Sequence, residues 1–134
     1  MSAEQLLSSV SSENTIIVAD LEAGIGTLTR LPDRAVDVTL VVVEPTPRSI
    51  DVAQRAVLVA SERAQGSVVI VANKVADDDD EARVREAFPG NEVVIVPADP
   101  VVNDADRRGV SPLDVDAQSP AVMALVGLSE QIRT

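Results

Sequence analysis

VTLVVVEPTPRSIDVAQRAVLVASERAQGSVVIVA, residues 38–72, decides the fold. It opens and closes on apolar runs, VTLVVV and VVIVA. Neither alternates with polar residues, so each reads as a strand buried on both faces, the mark of a parallel sheet covered by helices. Between them Thr46 stands at an N-cap position and Pro47 at the first helical one. Ile50, Ala53, Val57, Ala60 and Ala64 then recur at helical spacing until Gly66 closes the helix.

The same alternation extends outward. TIIVAD (residues 15–20) and VVIV (residues 93–96) read as two further strands. Residues 77–88 read as a helix in which Asp77, Asp78, Asp79 and Asp80 occupy the first turn, at the positive end of the helix dipole, and Val84 and Phe88 fall four apart. That reading is preferred to a calcium loop, which needs alternating ligands and a central glycine. Pro89 and Gly90 end this helix. Ser119 and Pro120 start a last one with Val122, Leu125, Val126 and Ile132 on one stripe. Ser2 and Gln5 form a capping box for a short N-terminal helix over residues 2–12. The sequence thus predicts a single domain over residues 1–134, an α/β layered sandwich with a mostly parallel four-stranded sheet.

Composition narrows the function. The chain has no cysteine and no histidine, which removes disulfides, thiolate nucleophiles, imidazole bases and zinc sites built on nitrogen or sulfur. A net charge of −11 argues against nucleic acid and anionic membrane as partners, and one Phe as the sole aromatic leaves no stacking platform for bases. Twenty-four valines favour strands. No apolar run approaches a membrane span, and the first residues carry no basic region before an apolar stretch, so a cytoplasmic location is expected.

In parallel sheets ligands bind beyond the carboxyl ends of the strands. The residues to inspect are therefore Asp20 and Glu22 after the first run, Glu44 after the second, Asn73 and Lys74 after the third, and Asp99 after the fourth. A carboxylate at a strand end can position Mg²⁺, though such residues also serve as helix caps and turns. Asn73 offers a donor and an acceptor to a purine edge; its plainer reading is a strand-ending Asn beside a solvated Lys74.

DLEAGIGTLTR (residues 20–30) resembles the switch-II segment of CooC-type ATPases, MinD/ParA-like P-loop proteins that assist nickel insertion into carbon monoxide dehydrogenase. VVVEPTPRSIDVAQR (41–55), VIVANKV (69–75) and VPADPVVNDADRRGVSPLD (96–114) follow in that family's order, so the resemblance covers nearly the whole chain. It implies that Asp20 is a Walker-B-like carboxylate near Mg²⁺. Glu22 and Gly24 would belong to the switch that senses the γ-phosphate, Asn73 would read adenine, and Pro97, Asp99 and Val101 would wall the base.

The chain also departs from that pattern. No G-x-x-x-x-G-K-[ST] string occurs in it. Without a lysine and backbone donors around the phosphates, a Walker-B aspartate has little hold on ATP. The cysteine pair through which the family binds nickel is also missing, and the switch reads Gly26-Thr27-Leu28 where close relatives tend to carry Glu-His-Leu. Two functions are expected to compete. One is a non-hydrolysing accessory subunit that needs no cofactor and acts by contact with another protein or a second copy. The other is the C-terminal lobe of a split ATPase for nickel-centre maturation, taking ATP and Mg²⁺ only when a P-loop-bearing segment complements it. A phosphoacceptor receiver domain shares the architecture but would need an Asp where Asn73 stands. A dimer or hetero-complex is expected because residues 15–20 are as apolar as a buried strand and carry no lysine or proline to blunt an edge.

Overall fold

Three of the four apolar runs become strands. The computed structural model describes residue 5, residues 14–21 and residues 25–133. Among them β1 (Val38–Val43), β2 (Ser67–Val75) and β3 (Glu92–Pro97) form one parallel sheet in the order β1-β2-β3. Leu40 pairs with Val69 and Val42 with Val71, while Val71 pairs in turn with Val94. Paired residues of parallel strands share a face, so this register fixes which side chains each helix meets.

The helices are α1 (Ile25–Arg30), α2 (Pro47–Glu62), α3 (Asp78–Ala87), α4 (Pro100–Arg108), α5 (Pro112–Val115) and α6 (Pro120–Ile132). On one face of the sheet Val41, Val43, Ile70 and Ala72 pack with Ile50 and Ala53 of α2, Val84 of α3, and Phe88. On the other, Val69, Val71 and Val96 pack with Ala121 and Leu128 of α6. β2 is thus apolar on both sides because it is covered on both sides. Burial of each of its large side chains stabilises the fold by roughly 1.5–3 kcal/mol.

Local chemistry sets the helix ends. The Thr46 side chain accepts the Ser49 N–H at 3.3 Å, with Pro47 at the first position, as the sequence predicts. α2 ends at Glu62, earlier than the expected Gly66, and the chain turns through left-handed Ala64 (φ 50°) and Gly66 (φ 68°) into β2. Gln65 is wholly buried in that turn. Its Nε2 donates to the Pro32 carbonyl at 2.7 Å and its Oε1 accepts the Ala35 N–H at 2.8 Å, which ties the segment before β1 to the turn before β2. In α3 the Asp77 side chain accepts the Asp80 N–H at 2.9 Å, so the acidic run caps and charges a helix start.

The expected four-stranded sheet is corrected to three strands. Residues 15–20 belong to no strand, and Ile16 and Val18 are 63% and 82% exposed. An apolar run becomes a strand only where a ladder partner takes up its backbone, and composition cannot supply the partner. Leu21, immediately after, packs instead against the cluster of Leu28, Leu31 and Ala60. The stripe expected on the last helix is also shifted. Ala121, Val122 and Leu128 are buried and Ile132 packs partly, while Leu125 and Val126 are exposed. The expected helix over residues 2–12, together with Glu22 and Gly24, lies outside the described residues.

Candidate functional site

The carboxyl ends of β1, β2 and β3 bring Glu44, Asn73, Lys74, Pro97 and Asp99 to one end of the sheet. At the tip of β2 the ladder is irregular between Ala72 and Val75, and Lys74 takes a left-handed backbone conformation at φ 58°. A side chain bearing a Cβ is strained there, since only glycine occupies that region at little cost. The conformation places the Lys74 ammonium 2.7 Å from the carboxylate of Glu44, on the neighbouring strand tip. The hydrogen bond that the ammonium donates to that carboxylate, and then the carboxylate's charge, push the Lys74 pKa up from its ordinary value. Glu44 is anchored in turn, its N–H donating to Ser49 Oγ at 2.9 Å.

Asp99 follows β3 and caps α4. One carboxylate oxygen accepts the Val101 N–H at 2.9 Å and the other accepts the Ala121 N–H of α6 at 3.0 Å. The Ala121 amide first, then the Val101 amide, hold its carboxyl below the ordinary carboxylate value. Pro97 and Asn73 are half-buried, and Val101 lies within the first turn of α4. Pro97 thus ends β3, Asp99 caps α4 and Val101 follows in its first turn.

Asp20 is exposed and belongs to no strand. Glu44 and Lys74 are joined at the surface, and the Lys74 side chain remains solvated. No spacing rule pairs two residues thirty apart on different strands. The dual capping by Asp99 did carry a signal: Asp99-Pro100 repeats the pattern of Thr46-Pro47 and Ser119-Pro120, an N-cap followed by proline at the first helical position. Among the described residues no helix is long and apolar enough to cross a membrane.

No protein-family model matches the chain. It is 26% identical over 113 residues to an uncharacterized ATP-binding protein of Methanocaldococcus jannaschii, an alignment covering 82% of this chain and 44% of that protein. In three dimensions it resembles the MinD cell division protein of Aquifex aeolicus, with a TM-score of 0.63 and 18% identity, over 84% of this chain and 48% of that one. The parallel α/β fold is therefore that of MinD, and the chain spans less than half the length of each relative.

Proposed function

We propose that this chain is a MinD-like module of CooC-type descent that acts by protein–protein interaction and does not hydrolyse nucleotide by itself. The observation that carries the reading is the state of the strand tips. The Lys74 ammonium is paired with Glu44, and both Asp99 oxygens accept backbone amides. Lys74 and Asp99, two of the polar groups at this end of the sheet, are thus already engaged within the chain. The sequence adds no lysine-bearing phosphate loop that would offset their loss. Isothermal titration with MgATP tests this. Affinity no tighter than about millimolar is expected for the chain alone, since a triphosphate is held mainly by backbone donors and cations. A micromolar dissociation constant overturns the reading.

A second reading is favoured by the name and length of the archaeal relative, which is described as ATP-binding and is more than twice as long as the stretch it shares with this chain. On this reading the chain is the C-terminal lobe of a split CooC-like ATPase for nickel-centre maturation. Asp20 would hold Mg²⁺, Glu22 and Gly24 would sense the γ-phosphate, Asn73 would read adenine, and Pro97, Asp99 and Val101 would flank the base. Adding a P-loop-bearing polypeptide should then restore ATP binding, and Asp20→Ala should abolish the turnover so restored.

A further inference from the structure

The face of the sheet under α6 is covered over β2 and β3, but over β1 only at Val38. Leu40 and Val42 share that face with their ladder partners Val69 and Val71. Val69 and Val71 are buried, whereas Leu40 is 39% and Val42 63% exposed. Among the described residues β1 is also an edge strand, hydrogen-bonded on one side only. Its sequence, VTLVVV, holds no charge and no proline, the usual devices that keep an edge from pairing. The opposite edge differs, because β3 begins at Glu92 and ends at Pro97.

The chain carries a segment of matching chemistry. Residues 15–20, TIIVAD, are as long as β1 and rich in branched apolar side chains, and Ile16, Ile17 and Val18 are exposed. Leu21, immediately after it, packs with Leu28 and Leu31 against Ala60 of α2. Among the described residues a strand-forming segment and the β1 edge are thus present on one molecule without pairing as strands.

We propose that residues 15–20 of one copy add as a strand to the open edge of β1 in a second copy, and reciprocally. Each copy then has one donor segment and one acceptor edge. Two copies satisfy both, so the exchange closes with two-fold symmetry and leaves no β1 edge free for further growth. The added strand takes up the free backbone groups of β1, with Ile16 and Val18 on one face of the extended sheet and Ile17 on the other. This gives the interaction role proposed above its partner and rests on that reading for its purpose. The exchange itself is read by mass and proximity, without nucleotide.

The experiment uses the full chain. Light scattering up to about 100 μM should give twice the 14.1 kDa of the chain, with a melting temperature that rises with concentration. Val42→Lys and Val18→Lys place a charge on acceptor and donor respectively. Both positions are well exposed in the single chain, so each variant should keep its circular dichroism and become monomeric. Because the chain has no cysteine, Val18→Cys can carry the only spin label. Mixed with an isotope-labelled native copy, it should broaden the amide signals of Val38–Val43 more strongly than those of Glu92–Pro97, two strands further away. A native chain that stays monomeric to about 100 μM overturns the exchange. So does either lysine variant remaining dimeric, or broadening that misses β1. A monomer without ATP affinity would remove the exchange and leave the non-hydrolysing module standing. A dimer that binds ATP at micromolar concentration would do the reverse.

Discussion

The carboxylate of Asp99 reaches 22 residues along the chain to accept the N–H of Ala121 at 3.0 Å, while its other oxygen accepts the Val101 N–H at 2.9 Å. One side chain therefore caps the starts of α4 and α6, two helices that must be aligned at the same end of the sheet. Asp99→Ala should lower the melting temperature by several degrees and loosen both starts. Asp99→Asn, which keeps an acceptor on one side only, should fall between. Amide exchange at Val101 and Ala121 checks this, and protection at Ala121 unchanged in Asp99→Ala would refute it.

The same bonds fix a pH dependence. The folded carboxyl of Asp99 titrates below its ordinary value of 3.8, so the folded state favours the charged form. Its contribution is fully present above that ordinary value and is lost as pH falls through the lower, folded one. Native chain and Asp99→Asn should therefore converge in stability on acidification below about pH 4 and diverge above it. Urea titrations at several pH values measure the gap, and a gap that widens in acid contradicts the assignment.

Glu44 and Lys74 form a short but exposed pair, so the pair governs local geometry more than stability. Glu44→Gln should shift the melting temperature by no more than about one degree. It should also bring the Lys74 pKa back toward 10.5. Side-chain NMR titration of Lys74 reads this directly. A pKa that stays raised in Glu44→Gln would mean that the carboxylate is not its cause.

Gly66 and Gln65 illustrate what could and could not be read ahead of the structure. That a left-handed turn lies at Gly66 was legible, since such turns favour glycine, although the helix itself stops at Glu62. The reason for its strictness was not: a Cβ at Gly66 would lie 1.9 Å from the Asp37 carbonyl oxygen, a contact between segments far apart in sequence. Gln65 has no sequence signature at all, since its role depends on two backbone groups, Pro32 O and Ala35 N, that only the fold brings to it. The same limit accounts for residues 15–20, whose composition announces a strand but whose partner is a matter of topology. The strands and capped helices of residues 38–97 were legible because their information is local periodicity and local capping.

Two substitutions at this turn follow. Gly66→Ala meets both the Asp37 carbonyl and a positive φ, where left-handed backbone alone costs roughly 1–2 kcal/mol, so a loss of more than about 2 kcal/mol is expected. Gln65→Leu keeps the volume but leaves Ala35 N–H and Pro32 C=O without their partner, at about 1–3 kcal/mol for each group that water does not reach. Equilibrium urea unfolding measures both. A Gly66→Ala chain within about 0.5 kcal/mol of native would show that the turn has another conformation open to it.

Self-association of this chain should respond to salt in the direction opposite to that of an ion-paired complex. Each copy carries a net charge of −11, so two copies repel at long range, and the contact proposed between them is apolar. Asp20 ends the donor segment and Asp37 precedes β1, so like charges flank the contact at these two positions. Raising the ionic strength shortens the Debye length from about 30 Å at 0.01 M to about 8 Å at 0.15 M and removes much of this repulsion, leaving apolar burial unchanged. The dimer dissociation constant should therefore fall as sodium chloride is added over this range. Asp37→Asn should lower it at low salt and change it little at high salt. Sedimentation velocity across a salt series measures both effects. Dissociation promoted by salt would instead place complementary charges in the interface and count against pairing through β1.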